Sequence, residues 1–78
     1  MLTPDHDRDV VVHQFTAVDA LTGAPLGERW TVWSGRESEG AFDTEAEALA
    51  AARAVADERG APIWLIQHGH PPFRVPGP

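Results

Sequence analysis

The sequence predicts an α+β domain in which a small antiparallel sheet of three or four strands carries one helix on a single face, in the order β-β-β-α-β. Two stretches, one around Val12 and one around Val32, alternate between apolar and polar residues with the two-residue period of a strand. A helix with recognisable start and stop signals follows, and an apolar run after Pro62 supplies the last strand. Strands joined by short loops favour an antiparallel arrangement, which tolerates one solvated face.

Alternation defines the first two strands. The first covers Asp9 to Asp19, with Val10 and Val12 on one face. Glycines and Pro25 mark the following loop, and the second strand covers Glu28 to Ser34. A polar turn bounded by glycines then leaves room for a short third strand over residues 40–43.

The helix has the clearest boundaries in the sequence. Thr44 and Glu47 form a capping box at its start, and Gly60 is placed for a left-handed C-cap after Arg59. The predicted buried stripe consists mostly of small side chains: Ala48, Leu49, Ala52, Val55 and Ala56. A helix faced with alanine approaches a sheet closely, so we expect the sheet to supply the bulk of the core.

The last predicted strand runs from Ile63 to His68 and is apolar on both faces, which favours an interior position in the sheet. We therefore expect one domain over residues 9–70. Residues 1–8 lack periodicity and are predicted to be a flexible arm. Residues 71–78 are rich in Pro and Gly and are predicted to be a tail that folds back through Phe73 and Val75 or extends freely.

Composition excludes several classes of function. The chain has 78 residues, no cysteine and a net charge of −6. Disulfides, thiolate nucleophiles and cysteine-based zinc sites are therefore ruled out, and net acidity counts against binding to a phosphate backbone. The polar first residues and the lack of a long apolar run predict a cytoplasmic protein with no signal peptide and no membrane association. All six cations are Arg, which we interpret as codon bias in a GC-rich bacterial or phage genome.

Three short motifs resemble those of a family of bacterial and phage-associated domains of unknown function. They are the strand motif Trp30-x-Val32, the helix start over residues 44–48 (T-x-A-E-A) and the strand end His68-Gly69. About half of the chain takes part in the resemblance. It implies the order β-β-β-α-β and no established activity.

The aromatic residues give the main functional hypothesis. If Val32 and Leu65 face the helix, Trp33 and Trp64 lie on the opposite face of the sheet, which one helix cannot cover. Exposed aromatic patches are typical of interfaces. We therefore expect a homodimer or a protein partner to bind this face, through Phe15, Arg29, Thr31, Trp33, Trp64 and Ile66. The alternative is that the N-terminal arm or the C-terminal tail covers these residues as an intramolecular lid.

Other functions have less support in the sequence. Arg29, Trp33 and Arg36 could bind nucleic acid, although phosphate binding needs several cations on one face. His13, His68 and His70 could bind a metal, but Gly69 and Pro71 interrupt the strand that would align them. Neither a nucleophile elbow nor a glycine-rich phosphate loop is found, so we expect no enzymatic activity and no cofactor.

Overall fold

The computed structural model describes residues 4–5, 7–67 and 69–76, which form one helix and one five-stranded sheet. The elements in chain order are β1 (Val10–Val18), β2 (Pro25–Ser34), β3 (Glu37–Phe42), α1 (Glu45–Arg59), β4 (Ile63–Ile66) and β5 (Phe73–Val75). The spatial order of the strands is β3-β2-β1-β4-β5. The α+β class and the single helix are as the sequence predicts.

The sheet differs from the prediction in being mixed and in having five strands. β1 pairs with β2 and β2 with β3 in antiparallel fashion, but β4 lies parallel to β1. The reason is the helix: β3 runs parallel to β1, and α1 then carries the chain back along the sheet, so that β4 enters in the same direction as β3. The prediction of an antiparallel sheet is therefore wrong for the pairing of β4 with β1. The predicted interior position of β4 is confirmed.

The fifth strand comes from the segment predicted to be a tail. Residues Phe73–Val75 pair antiparallel with β4 and form one edge of the sheet. Pro72 and Pro76 flank this strand. Proline is tolerated there because an edge strand leaves one side of its backbone unpaired.

The N-terminal segment also forms hydrogen-bonded structure. The backbone N–H groups of Arg8 and Asp9 both donate to the carbonyl of Asp5, at 3.1 and 2.8 Å. The N–H of Gly35, just after β2, donates to the carbonyl of Asp9 at 3.1 Å. These bonds hold Asp5, Arg8 and Asp9, which form the N-terminal turn, against the end of β2.

The caps of α1 confirm the predicted helix boundaries. The hydroxyl oxygen of Thr44 accepts the backbone N–H of Glu47 at 3.2 Å, and Gly60 adopts a left-handed conformation (φ 65°) with its N–H on the carbonyl of Ala56. One detail of the capping box differs. The Glu47 carboxylate accepts the hydroxyl of Thr44, at 2.9 Å, where we expected it to accept a backbone N–H.

The core lies between α1 and one face of the sheet. Ala48, Ala52 and Ala56 are the buried residues of the helix, as its alanine stripe predicts, and Leu49 and Val55 pack beside them half-buried. The sheet supplies the larger side chains: Val10, Val12, Val32, Ile63 and Leu65, with Trp30 and Phe42 at the margin. Within the described residues, no helix packs on the opposite face of the sheet.

Candidate interaction surface

Strand register brings the side chains of the helix-free face into cross-strand rows. Val10 and Val12 face the helix, so Val11, His13 and Phe15 point the other way. Val11 lies beside Trp33 of β2 on one side and Trp64 of β4 on the other. The next rows along β1 join His13 to Thr31 and Ile66, and Phe15 to Arg29.

All six residues predicted for the interaction surface occupy positions on this one face. We call it the aromatic face and define it by Phe15, Arg29, Thr31, Trp33, Trp64 and Ile66, together with Val11 and His13 between them. Their exposure is unequal. Trp33 is 40% exposed, Phe15 and Ile66 are half-buried, and Trp64 is only 5% exposed. The face therefore has an open part around Trp33 and a covered part around Trp64.

In the covered part, the N-terminal turn bonds to Trp64, and β5 flanks Trp64 on the side away from β1. One carboxylate oxygen of Asp9 accepts the indole N–H of Trp64 at 2.9 Å and the backbone N–H of Asp5 at 3.0 Å. Pro4, next to Asp5, is buried. The turn thus fixes the Trp64 ring to the sheet and pairs its only polar atom. The N-terminal segment therefore contacts Trp64, as the lid alternative requires of one of its residues, while Trp33 stays accessible.

An apolar depression of about 450 Å³ occupies the open part of the face. It is lined by Val11, His13, Trp33, Gly35, Arg36 and Ile66. Val11 is buried and lies between the strands that carry Trp33 and Ile66, so it forms the floor. A concave apolar site with an aromatic wall can accept a bulky apolar side chain.

Two of the three arginines on or beside this face are paired with carboxylates; the third, Arg74 of β5, lies beside Trp64 in the strand register. Arg29 forms an ion pair with Asp43 at 2.8 Å, and Arg36 forms one with Asp7. The positive charge available to an external ligand is reduced accordingly. The margin of the aromatic face is therefore close to neutral at these two points.

Of the three histidines considered for a metal site, the two that the structure describes are not brought together in a metal-binding group. His13 lies on the aromatic face, His70 follows β4 in a turn, and His68 lies outside the described residues. Within residues 4–5, 7–67 and 69–76, no group of three His, Asp or Glu side chains is arranged to hold a metal ion.

Comparison with known proteins assigns no family. No protein-family model matches the chain, and neither a curated protein nor a solved structure is significantly similar to it. The resemblance in the three short motifs therefore stays a prediction. As to membranes, the helical part of the described chain is too short and too polar to cross a bilayer.

Two parts of the surface were missed by sequence reasoning. Asp9 was assigned to the start of a strand, and nothing in the sequence pairs its carboxylate with a tryptophan 55 positions away. Val11 was assigned to the correct face by alternation but was not recognised as the floor of a depression, because its neighbours come from β2 and β4. Both depend on contacts distant in sequence.

Proposed function

We propose that this protein is a non-catalytic interaction module that self-associates through the open part of its aromatic face, with Trp33 as the central contact. The observation that carries the proposal is the exposure of Trp33, 40%, beside an apolar depression on a sheet face that no helix covers. Tryptophan is strongly enriched among the residues that dominate binding energy. Leaving it exposed in the monomer has a cost that association would remove.

A second copy of the chain fits this surface because a projection and a depression lie side by side. In a two-fold symmetric dimer the same patch is used by both copies. Trp33 of each copy could then enter the depression of the other and pack over Val11, against Ile66. Aromatic pairs across such an interface contribute about 0.5–1.5 kcal/mol beyond the area that they bury.

The area of the aromatic face determines how tightly two copies are expected to bind. A strand residue occupies about 16 Å² of sheet plane, and the five strands together present on the order of 500 Å². A standard interface takes about 800 Å² from each partner. The turn that covers Trp64 reduces the available area further. We therefore expect a weak dimer, in the micromolar range of dissociation constants.

The charge balance of the chain favours self-association over the nucleic-acid alternative. That alternative requires Arg29 and Arg36 to contact phosphates, whereas both are held by carboxylates, Asp43 and Asp7. These exposed pairs cost little to break, but the chain as a whole has net charge −6, which disfavours contact with a phosphate backbone. An apolar contact between two copies does not require free arginine side chains.

Light scattering across a wide concentration range tests the proposal. The wild-type protein should shift from monomer to dimer as its concentration rises through the micromolar range, whereas Trp33→Ser should remain monomeric. Leu21→Ser is the matched control, since Leu21 is 96% exposed in the loop between β1 and β2, away from the aromatic face. Equal dimerisation of Trp33→Ser and wild type, or a monomer at every concentration, would overturn the proposal.

A further inference from the structure

The helix side of the sheet is only partly covered by α1. The helix packs on β1, β2 and β3 and reaches β4, but it does not reach β5. It is the single helix in the part of the chain that the structure describes. The strands β4 and β5 therefore form the floor of a groove that has α1 as its wall, and we call this surface the flank groove.

The floor of the flank groove consists of apolar side chains. Ile63 and Leu65 of β4 belong to the core and face the helix. Val75 of β5 lies beside Ile63 in the strand register, and in the next row Phe73 lies beside Leu65. Arg74 points to the aromatic face by strand alternation, so the helix side of β5 is left to the two apolar residues. Because Phe73 is 57% exposed, the floor is open to solvent at its end.

The wall of the flank groove is one row of residues on α1. Glu45 lines a hollow of about 460 Å³ over the Phe73 end of the floor, and Arg53 and Asp57 line one of about 320 Å³ over the Val75 end. Together with half-buried Leu49, these residues follow one another at intervals of four, so they lie on one side of the helix. Along the row the wall is negative, apolar, positive and negative.

We propose that the flank groove binds an amphipathic α-helix of another protein, with a net positive charge. From Glu45 to Asp57 the wall is about 18 Å long, and the two strands of the floor are together about 10 Å wide. A helix with its side chains is about 10–12 Å across, and packed helices lie about 8–10 Å apart. A partner helix of about 12 residues over β4 and β5 therefore packs on the sheet beside α1, in the same layer.

Charge complementarity favours a basic helix over a second copy of this chain. A partner with Lys opposite Glu45 and Asp57, and Glu opposite Arg53, pairs with every charge of the wall. The net charge of −6 also attracts a basic partner. The solvent side of α1 consists mainly of alanines and carboxylates, such as Ala54 and Glu58. The helix of a second copy therefore lacks both the apolar stripe and the positive charge that the groove requires.

Designed peptides test the proposal in nuclear magnetic resonance titrations of the full-length protein. Each peptide has about 15 residues, an apolar stripe of Leu and Ala, and Lys, Glu and Lys opposite the three charges of the wall. Two versions carry this row in opposite orders, for a helix parallel or antiparallel to α1. We expect one version to give saturable shifts of the Leu49, Leu65 and Phe73 amides, with a dissociation constant on the order of 100 μM because the groove is smaller than a standard interface. The same peptide with a central Pro, which breaks the helix, should bind at least roughly tenfold more weakly.

Substitutions then assign the binding to the floor and to the wall. Phe73→Ala removes the exposed ring of the floor and should weaken peptide binding roughly tenfold. Arg53→Glu, at an exposed position of the helix, should weaken it roughly threefold. A peptide with Lys in place of its Glu should bind this variant more tightly than it binds the wild type. Trp33→Ser, on the opposite face of the sheet, is the control and should bind as the wild type does.

Three results would refute this site without affecting self-association through the aromatic face. Equal binding of the Pro-containing peptide indicates an extended ligand along the edge of β5. Shifts of the flank-groove amides that grow with protein concentration alone indicate a second copy as the occupant. An absence of shifts up to roughly 1 mM of either helical peptide shows that the groove binds no such helix.

Discussion

The indole N–H of Trp64 donates a 2.9 Å hydrogen bond to the carboxylate of Asp9, joining β4 to the segment that precedes β1. The same carboxylate oxygen accepts the backbone N–H of Asp5, so one acidic side chain holds both the turn and the ring. Trp33, in the same cross-strand row, lacks such a cover and is 40% exposed. The Asp9 contact therefore distinguishes the buried tryptophan of the aromatic face from the exposed one.

Loss of this contact should destabilise the protein. Asp9→Ala leaves the Trp64 indole N–H without its acceptor and releases the turn, so we expect the free energy of unfolding to fall by about 1–3 kcal/mol. Urea denaturation monitored by tryptophan fluorescence measures the change. Asp19→Ala, which also removes a turn carboxylate but touches no tryptophan, is the comparison. An unchanged stability of Asp9→Ala would show that the bond to Trp64 contributes nothing.

Gly35 tests whether the N-terminal turn is docked in solution. Its φ is +60°, and a Cβ there would lie 2.8 Å from the carbonyl oxygen of Asp7. Gly23 has a similar φ, +72°, but a Cβ there would meet nothing within 4 Å. Gly23→Ala should therefore lower the free energy of unfolding only by the cost of a left-handed alanine, about 1–2 kcal/mol. Gly35→Ala should lower it further or release the turn.

Urea denaturation of the two glycine variants gives the difference directly. Amide hydrogen exchange at Arg8 and Asp9 then shows whether the turn has been released, because these N–H groups donate to Asp5. If residues 1–8 form a flexible arm, as the sequence predicts, the two substitutions should cost the same and both amides should exchange rapidly in the wild type.

The sequence predicts what depends on local pattern and misses what depends on distant contacts. Alternation within β1, β2 and β4 was enough to place Trp33 and Trp64 on one face, because the period of a strand is a local property. The parallel position of β4 was missed because it depends on where α1 returns the chain. Three-residue β5 is too short to show any period. The burial of Trp64 depends on Asp9, which is remote in sequence.

The alanine stripe of α1 predicts a helix that tolerates no larger side chain. Ala52 is fully buried between the helix and the sheet. Ala52→Leu should push α1 away from the sheet and lower the free energy of unfolding by about 1–3 kcal/mol. Ala50→Leu makes the same chemical change at an exposed position of the helix and should alter stability by less than about 0.5 kcal/mol. Thermal unfolding followed by circular dichroism compares them, and equal stability would contradict the close packing of α1.

Ionic strength separates self-association from the nucleic-acid alternative. Each copy has net charge −6, so two copies repel one another and salt should screen that repulsion. The apolar contact around Trp33 is not weakened by screening, so the dissociation constant of the dimer should fall as salt rises from roughly 0.05 to 0.5 M. Binding driven by phosphate contacts has the opposite dependence. Sedimentation velocity at several salt concentrations measures the trend, with Trp33→Ser as the monomeric control, and a dimer that dissociates with added salt would contradict association through the aromatic face.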